Sequence, residues 1–342
     1  MGLRVERFAG PAGEWDAFAA AQPGSTHAHR LGWKRIVERV YRHDCPFLCV
    51  RGTGGDLRAV LPLVDVRAPL LGRAFVSMPY LSHGGPLGEP EAVRAAVAHA
   101  ARLAADARAD LLELRTAGDL DAGLPRVDEK VTCVLPLDGG ADAVWGRFAA
   151  KLRSQVRRPE KAGATVRFGA DQLEPFFAVF ARTMRDLGTP THPRAFFRAV
   201  RAEMGEDAWF GCVYLEGRPA AGGCALRHGD SVELVWAGAL REASASAPNM
   251  LLYASFIRRA AEAGAAAFDF GRCTPGSGTH RFKRQWGTAD VPLPWLRAVR
   301  RPGASAPSAD RGAFALGARM WRRLPLPLAT WLGPPIRGGI AA

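Results

Sequence analysis

One run of residues gathers the chain's most chemically capable side chains: Phe268-Asp269-Phe270-Gly271-Arg272-Cys273-Thr274-Pro275-Gly276-Ser277-Gly278-Thr279-His280-Arg281-Phe282-Lys283-Arg284-Gln285-Trp286-Gly287. It opens as a short apolar stretch interrupted by an acid, the pattern of a buried strand that delivers the Asp269 carboxylate to its end. Glycines and a proline follow, where the backbone must bend or approach a ligand closely. Arg281, Lys283 and Arg284 then alternate with Phe282 and Trp286, a setting suited to an anionic or polarised ligand. The chain has 46 Lys+Arg, of which only Lys34, Lys130, Lys151, Lys161 and Lys283 are lysines. Against that arginine background a compact, titratable ammonium stands out, which makes Lys283 the first catalytic candidate, with Asp269 organising its loop. Cys273 and His280 offer a second pairing, thiol and base, but the sequence names no third group to orient them.

Other chemistries find less support. His192, His228 and His280 have no acid at ligand spacing, and the six cysteines show neither a CxxC pair nor zinc spacing, so no metal is expected. There is no Gly-x-Ser-x-Gly elbow. Gly84-Gly85 lacks the Gly-Lys-Ser/Thr of a phosphate loop. A basic helix spanning about 141–162 carries Arg147, Lys151, Arg153, Arg157, Arg158 and Lys161, with Pro159 expected to kink it or break its last turn. Arg153 and Arg157, four residues apart, share a face. They suit either solvent or phosphates, and the phosphate reading predicts that they line or border the cleft.

These groups must be positioned by a chain of 342 residues, 48% hydrophobic and 23% charged, which is the composition of a globular protein with a substantial core. The formal charge of +13 implies attraction to polyanions: nucleic acid, an anionic membrane or phosphorylated substrates. DNA is not expected as a partner. With no signal-peptide core and no run of about 18 apolar residues, a cytoplasmic location is expected.

Hydrophobic periodicity places a hairpin over residues 46–66, a strand near 74–78, a Gly-rich loop, a helix over 90–107 and a buried strand at 110–115. The same order returns later: a hairpin over 209–227, a strand at 231–238, a small-residue loop, a helix over 249–263 and a strand at 266–270. The pattern repeats although the residues do not, which suggests a duplicated α/β domain with mixed sheets flanked by helices. The expected divisions are residues 1–137, 138–300, and a linker and tail over 301–342. The tail, with Met320, Trp321, Arg322, Arg323 and Trp331, is basic and amphipathic. It suits either an anionic bilayer surface, peripherally, or packing against its own domain.

At Pro248-Asn249-Met250-Leu251-Leu252-Tyr253, at Phe268-Asp269-Phe270-Gly271 and at Phe282-Lys283-Arg284-Gln285-Trp286-Gly287 the chain resembles the FemAB family. More closely, it is similar to the FemAB-related proteins of exosortase and exopolysaccharide systems. The likeness extends to Arg185-Asp186-Leu187-Gly188-Thr189-Pro190 and to Trp321-Arg322-Arg323-Leu324-Pro325-Leu326-Pro327. It implies an α/β (α+β) fold of two tandem acetyltransferase-like (GNAT) domains. It also implies transfer of an aminoacyl group from charged tRNA to an amine of a peptidoglycan-type precursor. In that family the lysine of the Phe-Lys element stabilises negative charge at the reacting carbonyl, a role that falls here on Lys283. The chain departs from the family's peptidoglycan enzymes in Trp286, in Arg272-Cys273 and in lacking a coiled-coil insertion.

Together these readings make Lys283 and Asp269 the expected catalytic residues. The expected substrate-binding residues are Arg272, His280, Arg281, Asn249, Tyr253, His192, Arg153 and Arg157. No permanently bound cofactor is expected. The donor is aminoacyl-tRNA or acyl-CoA and the acceptor an envelope-glycan precursor. An acyl-CoA-dependent GNAT enzyme is the main alternative, although Arg241-Glu242-Ala243-Ser244-Ala245-Ser246-Ala247 lacks the glycines of a pyrophosphate loop. A non-catalytic membrane-surface scaffold is the third reading.

Overall fold

A computed structural model of the chain describes residues 2–68, 72–300 and 312–340. The linker expected at Arg301–Ser308 lies outside them. In chain order the elements begin β1 (Arg4–Arg7), α1 (Ala12–Ala20), α2 (Gly32–Tyr41), β2 (Leu48–Arg51), β3 (Leu57–Leu61), β4 (Val64–Ala68) and β5 (Gly72–Val76). There follow β6 (Leu87–Gly88), α3 (Pro90–Asp106), β7 (Leu111–Leu114), β8 (Arg126–Pro136), α4 (Gly140–Arg147), α5 (Ala150–Lys161) and β9 (Thr165–Phe168). Next come α6 (Leu173–Leu187), α7 (Arg194–Met204), β10 (Ala208–Leu215), β11 (Arg218–His228), β12 (Ser231–Ala239) and α8 (Pro248–Glu262). The last are β13 (Ala267–Cys273), α9 (Gly278–Arg284), β14 (Ala289–Val299), α10 (Gly312–Trp321) and α11 (Leu326–Gly339).

The described residues form two compact units, one of residues 2–130, 292–300 and 335–340, the other of residues 131–291 and 312–334. The division falls inside β8, and the C-terminal residues are distributed between the units rather than standing apart.

In the first unit β1, β2, β3 and β6 pair antiparallel. A second group has β4 antiparallel to β5, β5 parallel to β7, and β7 antiparallel to the end of β14. The hairpin expected over residues 46–66 is therefore interrupted. Pro62, which has no N–H for the ladder, follows β3, and the chain changes sheet before β4. Helix α3 lays Ala92, Val93, Ala96, Val97 and Ala100 on this core at helical spacing.

In the second unit the strands run β8-β13-β12-β11-β10-β9. Only β12 and β13 are parallel, joined through α8. Alternation sets the two faces of this sheet, and a bulge at Val235 reverses it between Leu234 and Trp236. Val232, Leu234, Phe268 and Phe270 meet α4, α5 and α8, whereas Phe210 and Trp236 meet the aromatic side chains of α6 and α7. Adjacent Gly222 and Gly223 on β11 let both layers come close. A Cβ on Gly222 would stand 3.1 Å from Phe176 of α6, and one on Gly223 would stand 3.0 Å from Phe256 of α8.

The long basic helix is two helices, and the break is not at Pro159, which stays inside α5. Phe148 and Ala149 are extended (ψ 136° and 146°) because Phe148 is drawn into the core against Trp286. Arg153 fastens the break, its Nη1 donating to the Gly146 and Phe148 carbonyls at 3.1 and 2.8 Å.

Candidate active site

Parallel strands β12 and β13 stay together for only three pairs, Ser231–Ala267, Val232–Phe268 and Glu233–Asp269, and then part. Two irregularities enforce this. The β11–β12 register slips between Cys224 and Ala225, and β13 is bulged between Asp269 and Arg272, where Gly271 takes φ 74°. Beside the far end of β12 a cavity of about 380 Å³ opens. Its walls come from both layers of the unit: Thr183 of α6, Ala237–Leu240 at the end of β12, Asn249, Leu252 and Tyr253 of α8, and Phe282 of α9. Tyr253 is held by stacking on Phe270 at 5.4 Å and by an edge contact with Phe282 at 5.0 Å, and burial pushes its hydroxyl up to about 12.

A buried polar cluster lies where the two strands part. Glu233 and Asp269 are paired neighbours, 6% and 7% exposed, on the sheet face opposite Phe268 and Phe270. Asp269 Oδ1 accepts from Thr132 Oγ1 and, at 2.7 Å, from the Gly271 N–H. Burial, with the Glu233 carboxylate beside it, pushes Asp269 up to about 7 against those hydrogen bonds and the Lys283 charge. Lys283 is 4% exposed, and burial lowers its pKa. Its Nζ donates to the Gly271 carbonyl at 2.6 Å and to the Arg272 carbonyl at 2.9 Å. Lys283, expected as a catalytic residue, is thus enclosed by its own loop and does not line the cavity. The bulge in β13 turns two carbonyls toward Lys283 and uses two of its three protons.

The loop after β13, read from the sequence as irregular, contains α9, N-capped by Ser277, whose Oγ accepts from the His280 N–H at 3.1 Å. On this turn the His280 ring is engaged by other partners than Cys273. Its Nδ1 accepts from the Gly276 N–H at 3.0 Å, which places the ring proton on Nε2, 2.9 Å from Asp290 Oδ2. The Cys273 Sγ instead meets Cys133 Sγ at 3.5 Å, and burial raises the Cys133 thiol to about 12. No hydrogen bond joins Cys273 to His280 among those of the described residues. Cys133, His280 and Asp290 bring donor atoms within 4.8 Å of one another, a grouping invisible to sequence spacing. It fits a metal poorly as it stands, since the imidazole presents a proton, not a lone pair, toward Asp290.

The other expected ligand-binding residues divide. Asn249 and Tyr253 line the cavity. Arg272 contributes its carbonyl to Lys283. Arg281 Nη1 donates to the Gly276 carbonyl at 2.8 Å and so closes the α9 loop. His192 is corrected: it is 2% exposed and stacks on Phe196 at 4.3 Å within the α6–α7 aromatic core. Arg153 and Arg157 do not border this cavity either. Arg153 serves the α4–α5 break, and Arg157 lies over Trp145 at 5.5 Å, beside a separate cavity of about 390 Å³ between α4, α5 and α8. Glu233 was not singled out from the sequence. An acid inside an apolar strand, Val232-Glu233-Leu234, was the available signal.

Residues 146–284 match the acetyltransferase (GNAT) domain family. No curated protein sequence matches the chain. Among solved structures, that of FemX is similar over 87% of this chain and 97% of its own, with a TM-score of 0.68 at 16% identity. L-PGS from Bacillus licheniformis is similar over 93% and 97%, with a TM-score of 0.59 at 14% identity. A tandem GNAT protein from the clavulanic acid biosynthesis pathway is similar over 88% and 100%, with a TM-score of 0.57 at 14% identity. Residues 146–284 thus form a GNAT-family acetyltransferase domain, and over most of its length the chain shares the fold of FemX and of a tandem GNAT protein.

Proposed function

We propose that the chain is a cytoplasmic acyltransferase that moves an aminoacyl group from charged tRNA to an amine or hydroxyl of a cell-envelope glycan or peptidoglycan-related precursor. The observation that carries this is the parting of β12 and β13 beside the start of α8, with a cavity lined from both layers. An open strand end next to a helix N-terminus can hold an extended ester or thioester arm and leave its carbonyl at the apex of the split.

The loop before α8 favours tRNA over CoA. Residues Arg241–Ser246 are wound into a 3-10 turn. The Ala243 and Ala247 N–H groups are bonded internally, to the Leu240 and Ser244 carbonyls at 3.1 and 3.0 Å. Ala247 takes a left-handed conformation (φ 51°), and Pro248, without an N–H, opens the helix. Several of the donors that would cradle a pyrophosphate are thus engaged or missing.

In the reaction the acceptor's nitrogen or oxygen attacks the carbonyl carbon, and the bond to the tRNA ribose oxygen breaks. The Glu233–Asp269 pair, one of its carboxyls titrating near neutrality, receives the acceptor's proton and returns one to the departing oxygen. Lys283 keeps a third N–H for the carbonyl oxygen as it becomes negative. The narrower resemblance to exopolysaccharide-system proteins makes a sugar-linked precursor of that system one candidate acceptor. Filter binding of a mixed aminoacyl-tRNA pool, beside calorimetry with acetyl-CoA and longer acyl-CoAs, tests the donor. Retained tRNA without heat from CoA supports the reading. Tight CoA binding without tRNA retention overturns it in favour of an acyl-CoA-dependent N-acyltransferase.

A further inference from the structure

Helices α10 and α11 invert the usual amphipathic arrangement. Their small residues face the protein: Ala318 is 5% exposed, and Ala329 and Gly333 are buried. Ala318 seats α10 against the end of α6 so closely that a Cβ on Gly188 would stand 2.7 Å from the Ala318 carbonyl. Arg322 and Arg185 fix the seat by donating to the Leu187 and Leu324 carbonyls at 3.3 and 3.0 Å. Gly333 is packed on Thr191 in the same way, where an added Cβ would stand 3.2 Å from the Thr191 backbone nitrogen.

The large residues face outward. At 100° per residue, Leu316 and Met320 lie about 160° from Ala318 on α10, and Trp331 lies about 160° from Ala329 on α11. They are 62%, 65% and 73% exposed. The closest approaches of both helices are thus made by alanine and glycine, while Leu316, Met320 and Trp331 are left in water, a cost the fold has no internal reason to carry. Charge follows the same face. Residues 312–340 contain no acid; Arg322 and Arg337 turn inward, to the Leu187 carbonyl and the Tyr80 ring, while Arg319 on α10 and Arg323, just past its end, are exposed. No described helix is long and apolar enough to cross a membrane.

We propose that the outward face of α10 and α11 docks on an anionic phospholipid bilayer, with Leu316, Met320 and Trp331 entering the acyl boundary and Arg319 and Arg323 meeting lipid phosphates. Exposed Leu, Met and Trp flanked by unopposed arginines match an interface that is apolar within and negative at its surface. This holds whichever group the protein transfers.

The test is vesicle flotation of the full chain with phosphatidylcholine alone and with about a third phosphatidylglycerol. Wild type should float with the anionic vesicles only. Trp331→Ser combined with Met320→Ser, and separately Arg319→Gln combined with Arg323→Gln, should each lower that recovery on the order of 10-fold. All four side chains are exposed, so the melting temperature should stay put. Equal recovery of wild type and both double variants, or equal flotation on neutral vesicles, overturns the proposal. So does a dimer on size exclusion that the same substitutions dissolve, which would assign the face to a second copy of the chain.

Discussion

Replacing Lys283 by methionine keeps the length of the side chain and removes its charge. Two effects then compete. The Gly271 and Arg272 carbonyls, bonded at 2.6 and 2.9 Å, lose their donor inside a site only 4% exposed. Buried acceptors left unpaired cost about 1–3 kcal/mol each. Against this, an ammonium no longer has to be desolvated, which offsets several kcal/mol. The net change in stability should be a loss of roughly 1–3 kcal/mol, seen as a lower Tm with a single cooperative transition. Turnover should fall much further. A donor aimed where negative charge develops is worth about 3–4 kcal/mol, or roughly 100- to 1000-fold in kcat. A third readout separates chemistry from scaffolding. Lys283 pulls the Asp269 carboxyl downward from where burial would put it, so its loss should move the acid limb of the kcat/KM profile above its wild-type position near pH 7. Lys283→Arg keeps the charge but brings a planar fork into a closed site, and should rescue only part of the rate. The assay is single-turnover transfer at a temperature well below either Tm. A folded methionine variant with wild-type kcat and an unmoved pH profile would refute the role given to Lys283.

Asp269 carries the remaining pH signature. Its folded pKa, raised from 3.8 to about 7, contributes stability that is complete below the unfolded value and is lost as pH rises from about 4 to 7. Asp269→Asn should therefore flatten that part of the Tm–pH curve while nearly abolishing turnover, and an unchanged curve would discard the assignment. Glu113, 1% exposed, behaves oppositely: burial pulls it upward, but Arg115 and Arg297, bonded to it at 2.9 and 2.8 Å, outweigh this and hold it below 4.5. Its stabilisation is present above that value and disappears as pH falls through the lowered one. Glu113→Gln should cost about 3–5 kcal/mol by chemical denaturation at neutral pH, because Arg115 would be left buried and uncompensated. Gly238→Ala would bring a Cβ to 2.7 Å from Thr183 Oγ1 at the cavity wall. It should weaken donor binding several-fold in the filter assay with little change in the rate at saturation; unchanged affinity would remove that wall from the donor site.

The strands and helices around the site were largely legible because their periodicities are clean. Val232-Glu233-Leu234 and Phe268-Asp269-Phe270 alternate, and α8 repeats its apolar residues at helical spacing. The Lys283–Asp269 neighbourhood was legible for a different reason: an acid in an apolar strand and a rare lysine in one short run both cost free energy unless they have partners. What escaped was what long-range packing decides. His192 has the composition of a ligand, and only its stacking on Phe196 reveals a core residue. Arg153 and Arg157 share a helix face, but the break at Phe148 gives the first a capping task and takes the second to another cavity. Glu233 meets Asp269 through strand pairing between residues far apart in sequence, which no local pattern encodes. The burial of the Lys283 ammonium depends on a bulge at Gly271, where a glycine in the sequence signals freedom without saying how it is used.

The account rests on the donor lying where β12 and β13 part, and amide hydrogen exchange locates it directly. The full chain would be compared alone, with aminoacyl-tRNA, and with an acyl-CoA. The account predicts that aminoacyl-tRNA slows exchange in peptides covering residues 237–253 and 271–287, the cavity walls and the loop held by Lys283. Protection confined to the cavity between α4, α5 and α8, with residues 237–253 exchanging as in the free protein, would contradict it.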